Sequence, residues 1–72
     1  MIGIPAFNEE ANIGELIGKL KELSYEIIVC DDGSTDETYN ISKDLGAMVV
    51  KHKKNLGYGA AIRSIFIKAK EM

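Results

Sequence analysis

Apolar residues fall into two alternating rhythms along the chain. Runs of consecutive apolar positions, at residues 2–7, 26–30 and 47–51, predict strands, and the second of these, ending Ile27-Ile28-Val29-Cys30, has the continuous character of a parallel strand covered on both faces. Between them, apolar residues return every three or four positions. Ile13, Leu16, Ile17, Leu20 and Leu23 mark one face of a helix from about Glu9 to Leu23. Ser34-Thr35-Asp36-Glu37 fits a capping box, with Ser34 accepting from the amide of residue 37 and Glu37 reaching back to the Ser34 amide. The helix begun there carries Thr38, Ile41 and Leu45 inward and stops at Gly46, a residue type suited to a left-handed helix end. Asn55-Leu56-Gly57-Tyr58-Gly59 opens a last helix, with Ile62, Ile65, Phe66, Ala69 and Met72 on its stripe.

The order βαβαβα predicts an α/β fold, a three-layer arrangement around a parallel sheet of order 3-2-1. Right-handed crossovers place the first two helices on one face of that sheet, and the third must cover the other. A fourth strand would normally follow beside the first. Within 72 residues there is none, so the first strand is expected to keep an unpaired edge, with Pro5 near its end where a missing N–H is tolerated.

Composition narrows the class without deciding the function. The chain is 46% apolar and 28% charged, as in an ordinary globular protein, and its 72 residues make one small domain. A domain of that size buries only about 60% of the surface its unfolded chain exposes, so stability is expected to be marginal. No segment reaches the roughly 18 consecutive apolar residues of a membrane span, and no basic region with an apolar core marks a secretory signal, so a cytoplasmic location is expected. A net charge of −2 argues against nucleic acid as a partner. Cys30 stands alone in an apolar run, where a free thiol acts as a small hydrophobe.

Candidate chemistry gathers where strands run into polar turns, since ligands bind at the carboxyl edge of open α/β sheets. The second strand ends in Asp31-Asp32-Gly33. Turn chemistry accounts for one acid, but two at one edge repel unless they meet donors or a ligand. Asp32 could accept from a base N–H or a ribose hydroxyl while Gly33 admits the ligand closely. Phe7, just past the first strand, could stack on a base or simply pack in the core. Asn8, Glu9 and Glu10 read equally as a helix cap with an acidic first turn or as site residues. Gly57 and Gly59 could bring helix amides toward a pyrophosphate, a weak signal taken alone. The run Lys51-His52-Lys53-Lys54 reads as a solvated loop, with phosphate or base contact as its alternative.

Three segments in order, Ile-Pro-Ala-Phe-Asn-Glu-Glu, Val-Cys-Asp-Asp-Gly-Ser-Thr-Asp and Lys-Asn-Leu-Gly-Tyr-Gly-Ala-Ala, carry a combined signal that none has singly. The chain resembles the N-terminal part of family 2 glycosyltransferases over essentially all its residues, most nearly the polyprenyl-phosphate sugar transferases of the dolichyl-phosphate mannose synthase type. The resemblance implies the N-terminal, nucleotide-binding half of a Rossmann-like GT-A domain, with UDP- or GDP-linked sugar as the ligand. It places Pro5, Ala6, Phe7 and Glu9 around base and ribose, assigns the Asp31-Asp32 turn to nucleotide recognition with Gly33 shaping it, and puts Lys53 and the Gly57 to Gly59 loop near the same nucleotide.

The family's metal-holding Asp-x-Asp motif and its later catalytic base have no counterpart in these residues. No catalytic residue and no metal ligand is therefore assigned here, and a divalent metal, Mg or Mn, is expected only in a complete family enzyme. Residues 1–72 are read as a single truncated nucleotide-sugar-binding domain, inactive alone, from an enzyme whose acceptor is of the polyprenyl-phosphate kind and whose complete form associates with a membrane. The alternative is a non-catalytic nucleotide-binding or oligomerising module that pairs through the first-strand edge as a homodimer or with a complementary chain. Two other enzymes are set aside. A dehalogenase-type phosphatase would need an aspartate where Cys30 stands. A dinucleotide fingerprint at Gly57-Tyr58-Gly59 would have to follow its strand directly, but Lys51 to Leu56 intervene.

Overall fold

Five consecutive buried residues, Ile27 to Asp31, form the middle strand of the molecule and organise everything else. The computed structural model describes all of residues 1–72. It comprises β1 (Ile2–Ala6), α1 (Ile13–Glu22), β2 (Ile27–Asp31), α2 (Thr38–Asp44), β3 (Met48–Lys51) and α3 (Tyr58–Glu71). The three strands are parallel in the order β1-β2-β3, with Ile2 opposite Ile27 and Val29 opposite Val49. This is the expected α/β architecture, and both β1 and β3 have a free edge.

Alternation along β2 divides the interior into two compartments. Ile27 and Val29 join Ala6, Ile13, Ile17 and Ala47 in the main core, over which α1 lies beside α2. The helices meet closely at Gly14, where even a Cβ would be in ordinary contact, 3.4 Å from Ile41 Cγ2. Cys30 and Asp32 point the other way, beneath α3, which packs on β1 and β2 through Ala61, Ile62 and Ile65. Gly3 lies so close under α3 that a Cβ would meet Ile65 Cγ2 at 2.6 Å. All three expected stripes are broader than the faces that are buried. Leu16, Leu23 and Leu45 at the margins of α1 and α2, and Phe66 and Met72 on α3, are exposed.

The capping box is not formed, because its groups have partners outside the turn. The Ser34 hydroxyl accepts from the Asn8 amide, and the Glu37 amide donates to Glu10 Oε2. The start of α2 is held by Asp36, whose Oδ1 accepts from both the amide and the hydroxyl of Thr38. The first helix likewise begins later than its periodicity suggests, at Ile13, since Asn8, Glu9 and Glu10 are engaged in the same loop contact. Gly46, at φ +89°, ends α2 as expected.

Candidate functional site

The turns after β1 and β2 lie side by side because their strands pair in parallel register, Ala6 opposite Asp31. A reciprocal set of hydrogen bonds joins them. The amides of Asn8, Glu9 and Glu10 donate to Ser34 Oγ, Thr38 Oγ1 and Asp36 Oδ2, and in return the amides of Thr35 and Glu37 donate to Asn8 Oδ1 and Glu10 Oε2. Asn8 takes the left-handed conformation, φ 52°, that permits this exchange and that asparagine tolerates better than most residues. Burial alone would raise the Asp36 carboxyl, but the Thr38 hydroxyl and the Thr38 and Glu10 amides outweigh it and hold the group below its ordinary value. Asn8, Glu10, Ser34, Thr35 and Asp36 are thus structural groups that fix two loops to each other.

Beyond this junction a cleft of about 250 Å³ opens at the carboxyl ends of the strands, lined by Pro5, Ala6, Phe7, Asp32, Asn55, Gly57, Tyr58 and Ala61. Phe7 is 43% exposed and Tyr58 73%, so the cleft has two aromatic rings available to a ligand. Asp32, by contrast, is almost fully buried. Its Oδ1 accepts from His52 Nδ1 at 2.7 Å and from the Leu56 amide at 2.9 Å, and its Oδ2 accepts from the Gly57 amide at 2.9 Å. The His52 hydrogen bond, joined by those two amides, holds the Asp32 carboxyl below its ordinary value against the opposing effect of burial. A carboxylate offers about four acceptor sites. Three are filled from within the chain, which leaves about one for a donor in the cleft.

Gly33 and Gly57 both have positive φ, at +80° and +99°. What approaches Gly33 is the chain itself: a Cβ there would stand 2.4 Å from the Lys54 carbonyl carbon and 2.5 Å from the Asn55 nitrogen. Gly33 therefore lets the 52–57 loop close over the acidic turn, where the sequence pointed to the close approach of a ligand.

The structure brings Pro5, Ala6, Phe7, Asp32 and Gly57 of the expected site residues together in one cleft. Asp31 does not join them. Alternation turns it away from Asp32, its Oδ1 accepts from the Ser34 amide at 3.1 Å, and its Oδ2 is buried without a partner. Glu9 borders a separate depression with Ile4, Asn12, Ile13 and Leu16 on the other side of Pro5 and Ala6. Lys53 is exposed, and Gly59 lies in the first turn of α3 outside the cleft lining. Lys51 stands 4.6 Å from the centroid of the Tyr39 ring. Two consequential residues escaped the sequence reading. His52 looked like one member of a basic run, yet it is turned inward with its side chain only 11% exposed. Ser64, a single polar residue on the inner side of α3, gave no signal at all until its contact with His52 was seen.

No group of three or more His, Cys, Asp or Glu side chains is placed to hold a metal ion. Asp31 and Asp32 diverge, and the Asp32 oxygens are already engaged, so the residues present do not fit a cation site. Cys30 is wholly buried, and burial, together with the nearby Asp32 and Asp31 charges, raises its thiol to about 11. It is a core residue and not a nucleophile.

A parallel sheet with helices on both faces and a cleft at the strands' carboxyl ends defines an α/β protein of the kind that binds its ligand at that edge. The sequence profile of glycosyl transferase family 2 matches residues 1–71, and the chain belongs to that family. It is 48% identical over 60 residues to an uncharacterised protein of Methanocaldococcus jannaschii, an alignment that covers 82% of this chain and 25% of that one. It is 34% identical over 87 aligned positions to the UDP-N-acetylglucosamine–dolichyl-phosphate N-acetylglucosaminyltransferase of Methanococcus voltae, covering 96% of this chain and 35% of the relative. Among solved structures, glucosyl-3-phosphoglycerate synthase from Mycobacterium tuberculosis, in complex with Mn2+, UDP and glucosyl-3-phosphoglycerate, superposes with a TM-score of 0.72 at 35% identity, over 83% of this chain and 25% of that one. The fold is thus that of the N-terminal part of a GT-A glycosyltransferase. The chain spans between a quarter and about a third of the length of these relatives.

Proposed function

We propose that residues 1–72 are the donor-binding part of a glycosyltransferase, and that the cleft between Phe7 and Asp32 receives the nucleoside of a nucleotide-diphosphate sugar. The observation that carries this reading is that two residues from different strand ends, 25 positions apart, line one cleft at the edge where such sheets bind ligands. The UDP in the related synthase and the UDP-sugar donor in the name of the Methanococcus relative favour uridine over guanosine. That second relative also supports a polyprenyl-phosphate acceptor. Phe7 offers a ring face to the base, Asp32 an acceptor to a base N–H or ribose hydroxyl, and Gly57 and Tyr58 the rim nearest the phosphates. These residues supply binding and orientation only. With no metal-holding cluster and with the one carboxylate of the cleft, Asp32, already engaged, these residues offer the leaving diphosphate little of the electrostatic stabilisation that sugar transfer needs, and the proposal is that they are inactive alone. Calorimetric titration with UDP and GDP tests the binding claim, with saturable heat expected for UDP and a loss of affinity in Phe7→Ala. Absence of heat with either nucleotide at millimolar concentration would remove it, and turnover by the pure chain in a sugar-transfer assay would refute the inactivity.

The open edge of β1 favours a second, compatible role. Beside it, Met1, Gly3, Ile62, Ile65, Phe66 and Ala69 line an apolar groove of about 340 Å³, and a right-handed crossover leaving α3 would lay a further parallel strand along this edge. The occupant proposed is a parallel strand that completes this edge, whether it follows α3 in a longer polypeptide or comes from a complementary chain. Sedimentation equilibrium tests this against self-association: a monomer at all concentrations is expected, and a dimer would show that a second copy of this chain takes the edge.

A further inference from the structure

The His52 side chain contacts three others beside the cleft, although it lines no part of it. It leaves β3 by donating its own amide to the Asp31 carbonyl at 2.9 Å, which fixes the ring against the end of β2. From there Nδ1 reaches Asp32 Oδ1 and Nε2 reaches Ser64 Oγ, each at 2.7 Å, while Cys30 Sγ lies 3.7 Å from Nε2. An ionised Asp32 only accepts, so Nδ1 must carry a proton. In the neutral ring Nε2 is then the acceptor, and Ser64 Oγ donates to it. The resulting chain, Ser64 to His52 to Asp32, ends on the carboxylate that also binds the Leu56 and Gly57 amides. Ser64 borders none of the clefts, so the chain does not describe a nucleophile open to a substrate.

We propose that His52 and Ser64 form a half-buried relay that positions the Asp32 carboxylate and, through it, the Leu56–Gly57 rim, so that affinity of the cleft for a nucleoside diphosphate depends on two residues that never touch the ligand. This rests on the nucleotide-binding function proposed above. The physical basis is directional. Asp32 has no other side-chain partner, so without His52 its carboxylate is held only by two amides of a loop that it must itself hold in place. Ser64 adds the tautomer: when its hydroxyl donates to Nε2, the ring proton is kept on Nδ1, facing Asp32. His52 and Ser64 are thus positioning residues, and α3, sheet and rim are joined through a single imidazole.

The test uses the whole 72-residue chain with nitrogen-15 labelling and UDP as the probe. Imidazole nitrogen shifts at pH 8 should show Nδ1 protonated and Nε2 bare in the wild type. His52→Leu should weaken UDP binding by about tenfold or more and speed amide exchange at Leu56 and Gly57 by a similar factor, as expected for a lost hydrogen bond to a charged group. His52→Asn places an amide donor where Nδ1 was, and should restore both quantities to within about threefold of wild type. Ser64→Ala should fall between, because the ring keeps its Nδ1 proton toward Asp32 but loses its second anchor at Nε2. A ring protonated on Nε2 in the wild type, an asparagine variant no better than leucine, or unchanged exchange at Leu56 and Gly57 in His52→Leu would each overturn the relay. If wild type binds no UDP while the exchange pattern follows the expected order, the nucleotide-binding function fails and the relay's hold on the rim stands. If His52→Leu does not fold, the asparagine and Ser64→Ala variants decide.

Discussion

Asp32 shows how one side chain can be both a structural tie and a site residue. Asp32→Asn keeps the size and the two-pronged shape, but its amide group must face at least one of three N–H donors. The expected cost is about 1.5 to 3 kcal/mol in urea unfolding, the range for hydrogen bonds to a charged group. The pH dependence follows from the lowered carboxyl. Because the native group ionises below its unfolded value of 3.8, its contribution to stability is fully present above that value and disappears as pH falls through the lower native one. An acid titration of the Asp32 carboxyl carbon signal should therefore show the group ionised from pH 8 to 5 and changing only below about pH 4. A midpoint at pH 5 or above would contradict the geometry. Cys30 gives a second residue-scale expectation: with its thiol raised to about 11 and its surface buried, it should resist thiol reagents at pH 8 in the native chain and react only on unfolding. Of these roles, the sequence revealed that Asp32 was worth following and that Cys30 belonged to the core. It could not reveal that the partners of Asp32 are His52, Leu56 and Gly57, because that pairing depends on how a loop 20 to 25 residues away folds back.

Element periodicity was legible wherever one face of an element meets the core, and misleading wherever a turn's polar groups found partners from a neighbouring loop. Strand order, the central place of β2 and the stop at Gly46 follow from local patterns, and each is present. The capping box failed for a tertiary reason: Ser34 and Glu37 are used across the β1 and β2 turns instead of within their own. Nothing in either turn's own sequence could signal that exchange. The cross-loop bonds predict that Asn8→Ala costs about 1 to 2 kcal/mol, from the lost bond to the Thr35 amide and the strain of alanine at positive φ. Gly33→Ala should cost more, about 3 kcal/mol or above, because a positive φ and a backbone contact at 2.4 Å act together. Chemical denaturation of the two variants checks the ranking, and equal costs would show that the 52–57 loop yields easily.

At the scale of the whole molecule, size is what makes ligand binding visible. Only 13 of 72 residues are buried, and two of them, Asp31 and Asp32, are acids, so the core is small and the margin of stability is narrow. No helix is long and apolar enough to cross a membrane. A ligand that binds only the native state stabilises it by about 2.7 kcal/mol at a concentration 100 times its Kd. For a domain of this length each kcal/mol moves the melting temperature by roughly 4 to 8 °C, so saturating UDP should raise it by about 10 to 20 °C. Phe7→Ala should show a smaller rise at the same UDP concentration, since the ring is exposed and its removal weakens binding more than folding. If the melting temperature is insensitive to UDP and to GDP while it rises with protein concentration, the free edge of β1 and not the cleft is where this chain meets its partner, and the donor-binding proposal gives way to the interaction module.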